Sequence, residues 1–282
     1  MNIKKLSLFI ICSFLPMIGI GIAMHFTGAI VRYALSAAAM LLPMVAVIIT
    51  QAMYKEPVLQ GLGISFKINR WWIFGWTLIP VITLAIIGVT LLMPGAEWTP
   101  DSETIQAILK SLPEGVGVWG IIGITLISGM ISGITINAVF SFGEEIAWRG
   151  FLIELFKGKK FLIVAIWTGI IWGIWHAPII LNGHNYPQHP VAGVFMMVIF
   201  CLLLTPMLMY FRQKSGSVIV PAIMHGTFNA IAGLSLIVVS PVNDLLYGAP
   251  GLAGMITLLA ADVCLFLYDR YVSKEKIFLT II

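Results

Sequence analysis

Eight long apolar runs, each of about 20 residues, constrain what this chain can fold into more than any other feature. A continuous apolar run of this length is typical of a membrane-spanning helix, whereas a membrane β-barrel shows short segments of alternating hydrophobicity. Hydrophobic residues make up 60% of the chain and charged residues 10%, which excludes an ordinary soluble domain. The sequence therefore predicts an all-α fold, a polytopic membrane helix bundle with about eight transmembrane helices. The runs lie near residues 6–25, 29–53, 71–93, 117–141, 161–181, 191–211, 218–240 and 251–268.

The charges outside these runs alternate in sign along the chain. By the positive-inside rule, this alternation predicts that both termini are cytoplasmic, in a multi-pass protein of the plasma membrane. The net charge of +4 follows from this topology and does not indicate nucleic-acid binding. The acidic connections hold Glu97, Asp101, Glu103, Glu114 and Asp244, with Lys110 and the run-end Arg32 as exceptions. The basic residues are Lys4, Lys5, Lys55, Lys67, Arg70, Lys157, Lys159, Lys160, Arg212, Lys214, Arg270, Lys274 and Lys276.

Residues 1–282 are predicted to form a single integral membrane domain, because no connection is long enough to fold alone. The first run is too long for a signal peptide and lacks a clear cleavage site, so we expect a retained helix. Pro-Asp-Ser at 100–102 predicts a helix start in the connection 94–115. Two small-xxx-small pairs predict close helix packing, at Gly129/Gly133 and Gly169/Gly173. Three scattered cysteines predict neither a disulfide framework nor a metal motif, at Cys12, Cys201 and Cys264.

Polar side chains from three helices fall at one predicted depth in the membrane. Counted from the nearest basic connection, Glu144, His176, His225 and Asn229 all lie roughly 16–24 Å deep at the rise of an α-helix. An ionisable group at this depth is costly unless it is paired or faces water, so it is a functional-site candidate. We expect these groups to line one polar cavity that is accessible from the cytoplasm.

The two adjacent glutamates are expected to have different roles. Glu145 and Arg149 are four residues apart with the acid first, which is the favoured order for an ion pair on a helix. Glu144 points about 100° away from that pair and is free to face the cavity as a general base. By itself, the Glu145–Arg149 pair is also compatible with a structural clamp.

The two membrane histidines each have a polar or aromatic residue one helical turn away. His225 and Asn229 share one helix face, where two neutral donors are suited to stabilising an oxyanion. Trp172 precedes His176 by one turn and is expected to wall the pocket. A single histidine in a membrane helix is as often a packing residue, and Asp262 in the last run favours a structural role.

At these residues the chain resembles the CPBP family of membrane proteases, also called the CAAX protease and bacteriocin-processing (Abi) family, which includes the type II CAAX prenyl endopeptidase. The family pattern is EExxxR, then FxxxH, then HxxxN or HxxxD, on successive membrane helices. The resemblance covers about residues 116–240, the motif-bearing core, and tryptophan replaces the usual phenylalanine of the second motif. The matching residues are Glu144, Glu145 and Arg149, then Trp172 and His176, then His225 and Asn229.

The resemblance implies an intramembrane glutamic endopeptidase that uses no cofactor and no metal. Glu144, with His176, would activate a water to attack a peptide carbonyl, and His225 and Asn229 would stabilise the oxyanion. The Glu145–Arg149 pair would orient these groups. The partners implied are a peptide or membrane-protein substrate and the lipid bilayer, with no nucleic acid.

Three other functions stay open at the level of sequence. One is a zinc-dependent protease with Glu144, Glu145, His176 and His225 as ligands, although the chain has no HExxH and adjacent glutamates diverge on a regular helix. Another is a non-enzymatic immunity or regulatory protein that binds a peptide or a membrane partner. The third is a proton-coupled transporter, against which the lack of internal repeats counts.

Overall fold

The computed structural model describes residues 2–282 and confirms the all-α polytopic bundle. Within those residues, seven helical segments are long and apolar enough to cross a membrane, and one bent helix pair brings the number of crossings to as many as eight. The chain is therefore a multi-pass membrane protein. The segments are Ile3–His25, Ala29–Met53, Arg70–Leu91, Phe161–Ile180, Pro190–Ser215, Ile219–Ile237 and Leu252–Tyr271, and the bent pair is Val118–Ile134 with Ile136–Leu155.

The N-terminal half contains four helices before the largest connection. The second apolar run is divided into two helices at Met40 and Leu41, and Pro43 lies in the first turn of the second of these. Proline is favoured in a first turn because its missing N–H has no helical partner there. The helices are α1 (Ile3–His25), α2 (Ala29–Ala39), α3 (Leu42–Met53) and α4 (Arg70–Leu91).

The connection after α4 contains the helix start predicted from its sequence. Helix α5 (Glu103–Leu109) begins after Ser102, whose hydroxyl accepts a hydrogen bond from the Ile105 amide at 3.3 Å. This is the usual way in which a serine caps a helix. A two-stranded antiparallel ribbon, β1 (Glu97–Trp98) with β2 (Val239–Ser240), joins this connection to the one before the last helix.

The fourth crossing is longer and more bent than the sequence predicted. Helix α6 (Val118–Ile134) ends at Thr135, where the axis turns by 55° into α7 (Ile136–Glu145). The Thr135 hydroxyl donates to the Ile131 carbonyl at 2.8 Å, a contact that competes with regular helix bonding. A π-helix (Ile146–Phe151) and α8 (Leu152–Leu155) complete the crossing, and π-helical turns are frequent at functional sites.

The C-terminal half holds the other motif-bearing helices. Here α9 and α10 share one crossing, interrupted at His176, and α12 and α13 share another. The helices are α9 (Phe161–Trp175), α10 (Ala177–Ile180), α11 (Pro190–Ser215), α12 (Ile219–Ile231), α13 (Leu234–Ile237) and α14 (Leu252–Tyr271), followed by a 3₁₀ turn (Ile277–Leu279).

Glycines bring the motif helices into close contact, as the small-residue pairs predicted. A Cβ atom at Gly129 of α6 would lie 2.1 Å from Ile231 of α12, and one at Gly173 of α9 would lie 2.5 Å from Val198 of α11. Gly226 likewise allows α12 to pack closely against α7, since a Cβ atom at Gly226 would lie 2.8 Å from the Asn137 backbone. These approaches hold α7, α9 and α12 around one space. Within residues 2–282 the three cysteines are free.

Candidate active site

A cavity of about 1000 Å³ lies between α2, α6, α7, α9, α11 and α12. Glu144, His176, His225 and Asn229 all line it, so the structure brings together the four residues that the sequence placed at one depth. The rest of the lining is largely apolar and aromatic, a common composition for ligand-binding cavities.

Glu144 lies in the last turn of α7 with only 2% of its surface exposed. Its Oε2 atom accepts two hydrogen bonds, from the indole Nε1 of Trp172 at 2.6 Å and from that of Trp148 at 3.2 Å. Its Oε1 atom accepts no hydrogen bond from the described residues and is not among the fully buried polar atoms. One oxygen is therefore fixed by two donors, and the other is left open toward the cavity.

Glu145 points into the bundle rather than into the cavity. Its Oε1 atom accepts hydrogen bonds from Nη1 of Arg149 at 3.0 Å and from Nδ1 of His225 at 2.9 Å. Arg149 also donates from Nη2 to the Thr205 hydroxyl at 3.0 Å, and its guanidinium lies 4.2 Å from the centre of the Trp172 ring. Both charged side chains are fully buried, and this ion pair supports the walls of the cavity.

His176 is positioned to present an unprotonated ring nitrogen. Its Nδ1 atom lies 2.8 Å from the Trp172 carbonyl oxygen, which can only accept, so Nδ1 carries the proton. In the neutral ring, Nε2 is then a free acceptor. A nitrogen in that state can take a hydrogen bond, or a proton, from a water in the cavity.

The expectation of two neutral donors on α12 stays a prediction, and the two residues make different contacts in the structure. His225 donates through Nδ1 to Glu145, so its Nε2 atom donates only when the ring is protonated, with the Glu145 carboxylate balancing that charge. Asn229 is exposed, lines the cavity one turn further along, and makes no side-chain hydrogen bond to residues 2–282. Its amide is therefore free to donate.

Two further residues of the site were not singled out from the sequence. Trp148 is four residues after Glu144, a spacing at which side chains of one helix meet, so this contact could have been anticipated. Thr205 lies on α11, and no sequence pattern connects it to Arg149. Trp172 was expected only to wall the pocket, yet its indole makes the shorter of the two bonds to Glu144.

The cavity extends away from the basic connections. Its far end lies on the side of the acidic connections and is lined by the start of α2 and by the connections 181–189 and 238–251. The lining residues there include Tyr33, His184, Asn185, Ala249 and Pro250. Burial, with a smaller effect of nearby His176, lowers the pKa of His184 to about 4, so this residue is neutral at pH 7. The cytoplasmic access that the sequence predicted for the cavity stays a prediction.

The side chains present do not fit the zinc site considered above. Across residues 2–282, no three His, Cys, Asp or Glu side chains are arranged to hold a metal ion. Glu145 is turned toward Arg149 and His225, away from Glu144.

Asp262 is not among the lining residues, and its Oδ1 atom has no hydrogen-bond partner among the described residues.

Comparison with known proteins identifies the same region of the chain. The family model described as type II CAAX prenyl endopeptidase Rce1-like matches residues 126–231. That stretch contains every motif residue from Glu144 to Asn229 and lies within the 116–240 core expected from the sequence. Among curated proteins no match was found.

Proposed function

We propose that this member of the CAAX protease family is an intramembrane endopeptidase that hydrolyses membrane-associated peptides or proteins, with Glu144 as the general base. The family implies a peptidase whose peptide substrates lie in a lipid bilayer. One observation carries the assignment of the base. The buried Glu144 carboxylate is held through one oxygen and open to the cavity through the other, which leaves it ready to take a proton.

The proposed reaction begins with a water between Glu144 and His176. Oε1 of Glu144 takes a proton from this water while the water oxygen attacks the peptide carbonyl carbon. Nε2 of His176 accepts a hydrogen bond from the other hydrogen of the water. Asn229 donates to the oxyanion that forms, and His225, one turn before it on α12, is the proposed second donor. The proton on Glu144 then passes to the leaving amine as the C–N bond breaks, which yields a carboxylic acid and an amine.

The buried Glu145–Arg149 ion pair and the indoles of Trp148 and Trp172 position the side chains that carry out the proposed reaction. Glu145 orients His225 and balances its charge when the ring is protonated, and Arg149 keeps Glu145 in place. The indoles of Trp172 and Trp148 fix the rotamer of Glu144, so that its free oxygen faces the water.

Replacing Trp172 by phenylalanine, the residue usual in the family, is expected to lower kcat by about tenfold with little change in KM. The side chain stays aromatic, although phenyl is smaller than indole, and the donor to Glu144 is lost; hydrogen bonds to charged groups are worth about 1.5–3 kcal/mol. Steady-state kinetics on a cleaved peptide measure this. Trp167→Phe on the same helix is the control, because Trp167 is exposed and outside the cavity. A full rate, or a loss confined to KM, would contradict the role.

Replacing Asn229 by alanine is expected to lower kcat by about 10²–10³-fold, the usual cost of removing one oxyanion donor. Because the side chain is exposed and makes no hydrogen bond to the described residues, thermal stability should be unchanged. Ser128→Ala, at another lining position, serves as the control. A loss of less than tenfold would assign Asn229 to packing.

The proposal is tested with purified protein in lipid vesicles and a mixture of apolar peptides, with products read by mass spectrometry. Wild type should generate products that Glu144→Gln does not, and a strong chelator should leave them unchanged. Loss of products with chelator and recovery with zinc would instead favour the metal-dependent protease. Identical peptide profiles for wild type and variant would favour a non-enzymatic binding protein.

A further inference from the structure

Asn137 is a polar residue of the cavity that the proposed mechanism does not use. It lies in the first turn of α7, soon after the break at Thr135, and is half-buried. Glu144 follows seven residues later, so the two side chains lie two turns apart on the same face of α7. Both residues line the cavity. Asn137 therefore faces the space in which Glu144 is proposed to act.

The contact of Asn137 with α12 fixes the orientation of its side-chain amide. Nδ2 donates to the Gly226 carbonyl oxygen at 3.2 Å. A carbonyl oxygen can only accept, so the NH₂ group points to Gly226 and Oδ1 points away from it. Oδ1 accepts no hydrogen bond from residues 2–282 and is not among the fully buried polar atoms. Asn137 thus presents an accessible acceptor without a partner in a largely apolar cavity.

This free acceptor lies within about one helical turn of the proposed oxyanion donor on α12. Gly226, to which Asn137 is bonded, comes three residues before Asn229, whose amide is free to donate. The two helices touch at this level, since a Cβ atom at Gly226 would lie 2.8 Å from the Asn137 carbonyl carbon. A neighbouring acceptor and donor match the N–H and C=O groups of a peptide backbone.

The acceptor of Asn137 distinguishes between helical and extended segments of a substrate. Inside an α-helix each N–H is bonded to the carbonyl four residues earlier, so it is not available to Asn137. In an extended segment the N–H groups are free, and successive residues advance by about 3.3 Å. When a carbonyl is held at Asn229, an N–H up to two residues away can reach an acceptor about one helical turn, or about 5.4 Å, distant.

We propose that Asn137 is a substrate-binding residue whose Oδ1 atom accepts a backbone N–H within two residues of the scissile bond. The site accordingly takes an extended segment of the substrate rather than a helical one. This inference rests on the proposed peptidase function for the position of the scissile bond. A substrate that lacks the N–H leaves Oδ1 unpaired when it is bound, so the contact selects for a free N–H at that position.

A double-mutant cycle between protein and peptide tests this contact. An apolar peptide is selected by its binding to Glu144→Gln in lipid vesicles, and its scissile bond is located with wild type. Each backbone N–H of the peptide is then replaced in turn by an ester oxygen. One ester within two residues of the scissile bond should weaken binding to Glu144→Gln by about 3–10-fold. The same ester should cause no further loss when Asn137→Ala is added.

The control variant for Asn137→Ala is Ser132→Ala, at another lining position, where the full effect of the ester should remain. If Asn137→Ala does not fold, Asn137→Leu, which keeps the volume of the side chain, takes its place. Equal ester effects with and without Asn137 would assign this residue to helix packing alone and overturn the proposal. Coupling only beyond two residues from the scissile bond would also overturn it.

The cycle separates the role of Asn137 from the peptidase assignment. A peptide that wild type cleaves, but that shows no coupling to Asn137, contradicts the proposed contact and leaves the peptidase intact. A peptide that shows coupling, but that wild type leaves uncut, contradicts the peptidase and supports Asn137 as a backbone acceptor. The absence of binding by any apolar peptide would contradict both.

Discussion

Glu144→Gln is expected to lower the rate of peptide hydrolysis by about 10³-fold while the protein keeps its fold. Glutamine retains the size of the side chain, and its oxygen can still accept the indole hydrogen bonds of Trp148 and Trp172. It cannot take a proton from water, and general-base catalysis is worth about 10²–10⁴-fold. The two measurements are kcat on an identified peptide and thermal unfolding in detergent.

Ser141→Ala is the matched control for this substitution. Ser141 lies one turn before Glu144 on α7 and lines the same cavity, and its hydroxyl has no partner among residues 2–282. The control should keep activity and stability close to wild type. If Glu144→Gln keeps a rate within tenfold of wild type, Glu144 is not the general base.

Glu145→Ala is expected to destabilise the protein by about 3–5 kcal/mol, because it leaves the fully buried Arg149 without its anion. His225 loses its acceptor in the same variant. The double variant Glu145→Ala with Arg149→Met should recover part of this stability, because the unpaired charge is removed, while activity stays low. Denaturant unfolding in detergent micelles measures both effects.

An exposed ion pair provides the control for Glu145→Ala. Glu154 and Lys157 are 3.4 Å apart at the surface, and exposed pairs of this kind contribute about 0–1 kcal/mol. Glu154→Ala should therefore leave stability nearly unchanged. Equal stability of Glu145→Ala and wild type would mean that the buried network does not hold the site together.

The crossings could be predicted because the bilayer sets their length and composition. The apolar runs gave the positions of the helices, while the direction that the alternating charges indicate stays a prediction. The internal breaks at Met40 and Thr135 could not be found, because an apolar sequence continues through both of them. The π-helix after Glu145 is equally invisible to a pattern search that assumes regular α-helical periodicity.

Depth along each helix predicted which polar groups would meet, but not what each would bond to. Helical phase correctly paired Glu145 with Arg149, since both lie on one helix. The bond from Trp172 to Glu144 joins two helices, so its geometry depends on how α9 packs against α7.

A comparison of protein and peptide termini tests the central claim most directly. Cells expressing wild type and Glu144→Gln at matched membrane abundance are compared by mass spectrometry of new termini in the membrane and in the medium. The proposed mechanism predicts cleavage products that are present with wild type and absent with the variant. Identical sets of termini, with a phenotype that still depends on the protein, would contradict the peptidase assignment.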